Sequence, residues 1–539
     1  MIKYLLVFGL LFTSLNANKI ITQEWLNTKP RSIAKDFYLW RYLNQDITPD
    51  QAIIALGQAR NVNNKLLRRY ANKLNHDETS AEIKCMSTNA NILLDKDASC
   101  IELGMSTYKA TKLNENDFNN IIEKVKDSYP QTAKRFEILN ATIPFTALVS
   151  SSPKSFFDVF NQCGGVYRAK YFNHHLPKSI VKKLIDKKKF AQTIKLIVTI
   201  PKLNKLQESL FNINTKGFSH KSTFHLAINA IRHGKEELAL QLLETSYKNA
   251  YFQQDKDKVL FWQHKLTNSE EYLTLLSNSW DNNIYSMLAF EKTNKIPNNV
   301  IYNIENNQTR LSTYNFNNPF IWFPILKDTK KMNKIKMIKY NKLLNSPESL
   351  GHLAFVKERF SRYKKSYYIT PYKNIIGDLK ENRQSLIYAI ARQESRFIQT
   401  SISSAYAMGV MQIMPFLSKA IAIELKESYD IDKQFEPKTN IRYASHHLDF
   451  LEKRLTHPLF ISYAYNGGIG FMRRMFKLGL FKKGKYEPYL SMEMLPYDET
   501  KKYGKKVLAN YYIYQNYLNK DNKISLSTLF QKAFQPYQK

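Results

Sequence analysis

The amino-acid sequence predicts an all-α protein. Gly and Pro, which punctuate turn-rich β folds, occur only 16 and 18 times in 539 residues. From about residue 20 to residue 300, apolar side chains recur at the three- and four-residue spacing of short amphipathic helices. The chain is longer than one ordinary domain, so we expect several helical units in sequence.

Helical hairpins recur in the N-terminal part. Residues 223–231 carry an apolar helical face, His233-Gly234-Lys235 is typical of a turn, and a second apolar helix follows. Residues 261–276 have the pattern of another hairpin. Because such hairpins bury their apolar faces only by stacking, we predict an irregular α-superhelical solenoid over residues 18–300. A compact helical bundle is the alternative.

The pattern loosens over residues 301–368. Six Asn residues lie between positions 303 and 318, and Pro319 and Pro324 follow. This composition indicates a linker or a small helical connecting domain. Residues 369–539 have denser apolar patterning and carry the motifs, so we expect a C-terminal catalytic domain there.

The N-terminus has the features of an export signal. Lys3 precedes a short apolar run, and Ala17 offers a small residue for cleavage. The run from Tyr4 to Phe12 is too short to span a bilayer. We therefore expect residues 1–17 to be a signal peptide that is removed, with the mature protein outside the cytoplasm. A buried first helix is the alternative.

The net charge of +34 suits a partner that carries negative charge. Lysines on solvated surfaces explain the charge equally well. No nucleic-acid-binding motif accompanies it, and export argues against a nucleic-acid partner.

Three cysteines are present. Cys85 and Cys100 enclose a short loop and can form a disulfide, which would leave Cys163 over. Three reduced core cysteines are the alternative. The adjacent pairs His174-His175 and His446-His447 lack the i, i+4 spacing of helical zinc sites, so we expect no metal and no cofactor.

Glu394 is the first candidate for chemistry. It continues the apolar helical stripe that contains Ile387 and Ile390, and it is the only acid between Asn382 and Ile423. Poor solvation there would raise its pKa, so that the carboxyl can donate a proton near neutral pH. The alternative is a structural Glu paired with a neighbouring arginine, Arg392 or Arg396.

Two further clusters have polar groups suited to a sugar. In residues 403–415, Gly409 can admit a close backbone approach, Gln412 offers an amide, and Met411 can lie against a sugar face. In residues 464–468, Tyr465 and Asn466 can present a ring and an amide. Core packing, turns and a helix C-cap explain the same residues individually.

Together these segments resemble the soluble lytic murein transglycosylases, whose catalytic domain is similar to goose-type lysozyme. The matching motifs are Ala391 to Ser395, Gly409 to Pro415, Ala464 to Gly468, and Glu493 to Thr500, with Tyr503 continuing the last. Three positions depart from the family pattern, namely Val410 for Leu, Tyr406 for a usual Gly, and Gly467 for Ala. The resemblance is dense over residues 369–518.

The resemblance implies a fold and a mechanism. A lysozyme-like domain would sit on a ring-forming superhelix. Glu394 would act as acid and then base in cleaving the β-1,4 bond between N-acetylmuramic acid and N-acetylglucosamine, leaving a 1,6-anhydro end. The family's substrate-binding positions fall on Ser403, Gly409, Met411, Gln412, Ala464, Tyr465, Asn466 and Glu493.

The resemblance also implies a periplasmic monomer. Its partners would be peptidoglycan strands and their stem peptides, together with proteins of wall synthesis or turnover. Nucleic acid and stable membrane insertion are not expected. A goose-type muramidase, which uses water, and a non-catalytic peptidoglycan-binding scaffold remain as alternatives.

Overall fold

The structure is a computed structural model that describes residues 20–74, 77–305 and 314–534. The predicted signal peptide at residues 1–17 lies outside these ranges. Helices dominate the described chain, and the all-α prediction is confirmed. None of the described helices is both long enough and apolar enough to cross a membrane.

The N-terminal helices are short and follow one another closely. They are α1 Gln23–Asn27, α2 Ile33–Tyr42, α3 Pro49–Gly57, α4 Asn64–Ala71, α5 Asp77–Ser87, α6 Ala90–Leu93, α7 Ala98–Gly104, α8 Thr107–Ala110, α9 Glu115–Val125, α10 Pro130–Asn140, α11 Pro144–Ser150, α12 Pro153–Phe160, α13 Gly165–Tyr171, α14 Lys178–Leu184, α15 Phe190–Thr199, α16 Asn204–Glu208, α17 His220–Arg232, α18 Glu236–Asn249, α19 Gln253–Thr267, α20 Glu270–Leu276 and α21 Ile284–Lys292.

The C-terminal helices include the longest one of the described chain. They are α22 Pro319–Asp328, α23 Lys334–Leu343, α24 Leu350–Phe360, α25 Lys373–Ile376, α26 Glu381–Glu394, α27 Pro415–Glu424, α28 Pro437–Glu452, α29 Pro458–Gly467, α30 Ile469–Lys477, α31 Tyr489–Met494, α32 Asp498–Leu518 and α33 Leu526–Gln531. Short 3-10 helices cover Thr329–Lys331, Pro347–Ser349 and Ile431–Phe435.

Two strands of two residues each form the described sheet. β1 (Val300–Ile301) pairs in parallel with β2 (Ser366–Tyr367), and Val300 lies opposite Ser366. The pair joins the end of the N-terminal helices to the start of the C-terminal domain.

The predicted hairpin around Gly234 is confirmed. Ser219 caps α17 by accepting a hydrogen bond from the amide of Ser222, and Gly234 turns the chain with a positive φ of 69°. The apolar face of α17 then packs against α18. Packing continues from α18 to α19, α20 and α21, so each helix buries its apolar face against its neighbours.

The N-terminal helices contact the C-terminal domain at both ends. At one end, α1 to α4 share an apolar cluster with Phe320, Tyr406 and Phe435. At the other, α17 packs against α31, and α21 packs against α32 and α33. This closed path is what a ring-forming superhelix requires.

A disulfide between Cys85 and Cys100 links α5 to α7. Cys163 is buried and is not part of a disulfide. The disulfide therefore links two neighbouring helices of the N-terminal part covalently.

Candidate active site

Helix α26 delivers Glu394 as its last residue. Its apolar residues Leu386, Ile387 and Ile390 are buried, and the helix packs against α32. After Glu394, the Ser395 hydroxyl donates a 2.7 Å hydrogen bond to the carbonyl of Val410. The end of α26 is thereby tied to the loop that carries the second motif.

Burial and two side chains of α32 shift the pKa of Glu394. The hydroxyl of Tyr503 donates a 2.7 Å hydrogen bond to Oε1 of Glu394. Burial raises the pKa of Glu394 to about 7, the Tyr503 hydrogen bond lowers it in part, and the negative charge of Glu499 raises it. A carboxyl with this pKa can both give and take a proton near neutral pH.

The alternative of a structural Glu394 paired with arginine is wrong for the described chain. Arg392 Nη2 lies 2.7 Å from Glu358 Oε1, and Arg396 Nη1 lies 3.6 Å from Glu358 Oε2. Glu358 comes from α24 and also accepts a hydrogen bond from the amide of Tyr367. The two arginines therefore pair with Glu358 and fix the end of α26, whereas Glu394 is hydrogen-bonded to Tyr503.

The loop of the second motif is held by its own polar groups. The Ser403 hydroxyl accepts hydrogen bonds from the amides of Ala405 and Ala407. Gly409 has a φ of +81°, and a Cβ there would lie 2.3 Å from the carbonyl oxygen of Gln434. Glycine is thus required by close packing inside the protein, whereas its sequence context suggested an approach to a ligand.

The side chain of Asn440 holds this loop by hydrogen bonds to its backbone. It is fully buried, donates to the carbonyl of Met408 at 3.1 Å and accepts from the amide of Met411 at 2.7 Å. Met411 is itself buried, so its side chain belongs to the core in this state. Gln412 is half-buried, with its amide nitrogen donating to the carbonyls of Ser401 and Gly409. Substrate contacts by Met411 and Gln412 stay predictions.

The third motif ends a helix beside Glu394. Helix α29 stops at Gly467, and Gly468 has a positive φ of 82°, as the C-cap pattern predicts. The Tyr465 hydroxyl donates a 2.8 Å hydrogen bond to the carbonyl of Met411. Burial and the charge of Glu394 both raise the pKa of Tyr465, so the Tyr465 hydroxyl lies within electrostatic range of the Glu394 carboxyl.

The remaining predicted residues have protein partners. Asn466 accepts a 2.7 Å hydrogen bond from the Thr500 hydroxyl, and Ala464 is buried. Glu493 is 2% exposed and forms an ion pair with Lys505 at 2.5 Å. Burial would raise the pKa of Glu493, but Lys505, Lys258 and Lys501 outweigh it and lower the pKa to about 2. Glu493 also accepts a hydrogen bond from Tyr285 of α21, and its contact with substrate stays a prediction.

The N-terminal helices support the outer side of the second-motif loop. Asn63 donates to the carbonyl of Ser404 at 2.9 Å, and Lys65 donates to the carbonyl of Ala405 at 2.8 Å. The ring of Trp40 lies 5.4 Å from that of Tyr406, centroid to centroid. The Tyr406 that replaces the usual glycine is therefore an anchor between the two ends of the chain.

Two residues that act on Glu394 were not assigned a role from the sequence. Tyr503 and Glu499 lie four residues apart on α32, so they share a helical face, and that spacing was readable. Their proximity to Glu394 could not be predicted from the sequence, because it depends on the packing of α26 against α32. Among the described residues, no three His, Cys, Asp or Glu side chains group as metal ligands.

Comparison with known domains bears on this part of the chain. Residues 372–487 match the Transglycosylase SLT domain. The SLT domain contains Glu394 and the second and third motifs, while Glu493, Glu499 and Tyr503 lie beyond the matched residues. The resemblance inferred from the motifs is confirmed for this segment.

Two relatives of this segment are named soluble lytic murein transglycosylase. A soluble lytic murein transglycosylase of Salmonella typhimurium is 29% identical over 158 residues, which are 29% of this chain and 24% of that protein. The Escherichia coli K12 protein of the same name is 34% identical over 151 residues, 28% of this chain and 23% of that protein. The matched part thus spans about a quarter of the length of these relatives.

Two solved structures align along most of the chain at low identity. An inactive mutant of lytic transglycosylase Slt from Pseudomonas aeruginosa aligns with a TM-score of 0.48 and 16% identity, covering 93% of this chain and 90% of that one. A 70-kDa soluble lytic transglycosylase in complex with bulgecin A aligns with a TM-score of 0.49 and 14% identity, covering 93% and 88%.

Proposed function

We propose that this protein is a peptidoglycan lytic transglycosylase. It would cleave the β-1,4 bond between N-acetylmuramic acid and N-acetylglucosamine and leave a 1,6-anhydromuramic acid end. The observation that carries the proposal is the state of Glu394 in the SLT domain, where burial raises its pKa to about 7. A single carboxyl with that pKa can serve as acid and as base in one catalytic cycle.

The first step is protonation of the leaving oxygen. Protonated Glu394 donates its proton to the glycosidic oxygen as the bond to the muramic C1 breaks. The acetamido group of the substrate stabilises the positive charge that develops on that carbon, in the role that a second carboxylate has in many glycosidases. Tyr503 holds the Glu394 carboxyl by its Oε1 and so orients the proton-bearing group.

The second step closes the ring without water. The ionised Glu394 takes the proton from the muramic O6 hydroxyl, and O6 forms the new bond to C1. Glu394 is then protonated again, which returns the enzyme to its starting state. The half-buried Gln412 and Tyr465, whose pKa is raised by the charge of Glu394, are the motif residues that we expect to bind the sugar.

A hydrolase of the goose-lysozyme type is the second candidate, and Glu499 favours it. The charge of this second carboxylate raises the pKa of Glu394, so Glu499 lies within electrostatic range of the proposed acid. A hydrolase can use such a carboxylate as a base that activates water. The two candidates differ in product, because anhydro ends have one water fewer than reducing ends.

Mass analysis of the products from purified sacculi tests both candidates. We expect anhydro ends from the full-length protein and a loss of at least about 100-fold in rate for Glu394→Gln, since general acid–base catalysis contributes about 10²–10⁴-fold. Glu348→Gln, an exposed carboxyl on another element, is the matched control. Reducing ends alone would favour the hydrolase, and full activity of Glu394→Gln would overturn both candidates.

The organisation around this activity is part of the proposal. The enzyme would act in the periplasm after removal of residues 1–17, with superhelical residues 18–300, connecting residues 301–368 and catalytic residues 369–539. N-terminal sequencing of the exported protein tests the first point. A start near Asn18 is expected, and retention of Met1 would contradict it.

A further inference from the structure

Helix α23, in the connecting residues, carries apolar side chains on two opposite sides. On one side, Met337 and Tyr340 are buried in the apolar cluster that this part of the chain forms with α22 and α24. On the other side, Ile335 and Ile338 are 78% and 69% exposed. A helix that is apolar on both sides is normally covered on both. The described residues therefore leave the isoleucine side of α23 open.

Lysines flank the two exposed isoleucines. An α-helix turns by about 100° per residue, so five side chains follow one another around a sector of about 140°. In order around the helix they are Lys334, Ile338, Lys342, Ile335 and Lys339. All five are exposed, and we call them the Lys–Ile face. This face thus has an apolar centre between positive charges.

The charge of this segment is one-sided. Residues 326–344 contain seven lysines and a single acid, Asp328. Asp328 is already engaged, because it lies 3.2 Å from Lys336 Nζ and accepts a 2.6 Å hydrogen bond from the Tyr340 hydroxyl. In the ranges that the structure describes, the three lysines of the Lys–Ile face form no ion pair. Their charge is therefore available to an external polyanion.

The exposed isoleucines indicate which polyanion fits. A hydrated polymer with carboxylates would meet the lysines but would leave the two isoleucines in water. The surface of an anionic bilayer satisfies both groups, because apolar side chains enter below the headgroups while lysine ammonium groups stay among them. The long lysine stems allow this, since they lie along apolar surface and keep the charge in water.

We infer that the Lys–Ile face docks on the surface of a membrane that contains anionic phospholipid. The contact is peripheral, with Ile335 and Ile338 at the level of the headgroups. Helix α24 packs against α23 and pairs through Glu358 with the arginines at the end of α26. Docking of α23 would therefore orient the catalytic domain relative to the membrane. The inference goes beyond the proposed function and does not depend on Glu394.

Co-sedimentation of the full chain with vesicles tests the inference. We expect the wild type to bind phosphatidylcholine vesicles that contain phosphatidylglycerol, to bind pure phosphatidylcholine weakly, and to be released by salt. K334Q/K339Q/K342Q should lower the partition coefficient about 100-fold at low salt, from the usual contribution of three lysines at an anionic surface. K182Q/K183Q/K187Q, three exposed lysines on or just after α14, is the matched control and should change it little.

A second pair of variants tests the apolar centre. I335S/I338S should lower the partition coefficient about 10- to 100-fold, as expected when two isoleucines are partly withdrawn from water. V166S/I296S removes two equally exposed apolar side chains outside the face, at 88% and 87% exposure, and should bind as the wild type does. Because all four side chains are exposed, the variants should keep the fold, which thermal unfolding checks.

Three results would overturn the inference. The first is no binding of the wild type to vesicles that contain phosphatidylglycerol. The second is equal binding by the two lysine variants. The third is normal vesicle binding by I335S/I338S together with weakened binding of K334Q/K339Q/K342Q to purified sacculi, which would assign the lysines to the wall polymer instead. None of these measurements involves cutting, so their outcome is independent of the proposed function.

Discussion

The hydroxyl of Tyr503 donates a 2.7 Å hydrogen bond to Oε1 of Glu394. This bond favours the ionised carboxylate and so opposes part of the pKa rise that burial causes. Tyr503 therefore helps to set the pH at which Glu394 exchanges its proton. Tyr503 and Glu499 both lie on α32, so one helix carries the residue that lowers the pKa of Glu394 and the residue that raises it.

Tyr503→Phe should shift the pH profile of cutting toward higher pH. Loss of the hydrogen bond removes a lowering influence, so the pKa of Glu394 rises above about 7 and the carboxyl stays protonated further into the alkaline range. The midpoint of the alkaline limb of kcat/KM reports this shift. Tyr497→Phe, at an exposed tyrosine near the start of the same helix, is the control. An unchanged midpoint would show that the bond does not tune the acid.

Glu499→Gln should shift the same limb toward lower pH. The negative charge of Glu499 raises the pKa of Glu394, and its removal lets Glu394 ionise more readily. Substantial cutting with a displaced limb is expected from a transglycosylase. Complete loss of cutting, with reducing-end products from the wild type, would instead assign Glu499 as the base of a hydrolase.

Glu394→Gln should stabilise the protein at alkaline pH. Folding raises the pKa of Glu394 from 4.5 to about 7, so the folded chain holds more protons than the unfolded chain between these values. Stability therefore falls as pH rises from about 4.5 to 7, and the loss persists above that range. At pH 8 the variant should be more stable by at most about 3 kcal/mol.

At pH 4 the same variant should gain nothing from this effect, because Glu394 is then protonated in both states. Urea unfolding at the two pH values measures the difference, with Glu348→Gln as the control. A gain of equal size at both pH values would mean that proton binding by Glu394 is not its cause.

Tyr406→Gly should destabilise the protein although it matches the usual residue of the family. Tyr406 has a φ of +66°, so glycine relieves about 1 kcal/mol of backbone strain. The ring, however, is buried against Phe37 and Trp40, and removal of a large buried aromatic side chain costs about 3–5 kcal/mol. The loss of packing exceeds the relief, so a net loss of about 2–4 kcal/mol is expected.

Urea unfolding of Tyr406→Gly and Tyr406→Phe measures this balance. The Phe variant keeps the ring contacts and should retain most of the stability. If Gly were as stable as Phe, the ring would not anchor the loop to the N-terminal helices.

The sequence predicted the helical class, the end of α29 and the poor solvation of Glu394, because each depends on local patterning. Pro415 at the start of α27 and Gly468 after α29 are likewise local signals that the structure bears out. The pairing of Arg392 and Arg396 with Glu358 was not predictable, since Glu358 lies on α24, far away in the chain. The same holds for Trp40 against Tyr406, which no periodicity can reveal.

The packing requirement at Gly409 shows the same limit. A glycine in a motif indicates that a Cβ is not tolerated, but the sequence does not say which atoms exclude it. The structure identifies the Gln434 carbonyl and the Asn440 side chain. Burial of Met411 is similar, because an apolar residue in a loop can face either a ligand or the core.

The contacts of α1 to α4 with the second-motif loop have a consequence for the order of folding. Asn63 and Ser404 are separated by 341 positions, and Arg41 and Asp432 by 391. Contacts of such separation form late, because the intervening chain must first be ordered. During synthesis, the first helices therefore emerge with their apolar faces uncovered, and more than half of the chain must follow before those faces are covered. An unclosed state, rich in exposed aromatic surface, is thus an expected substrate for chaperones before the ring is completed.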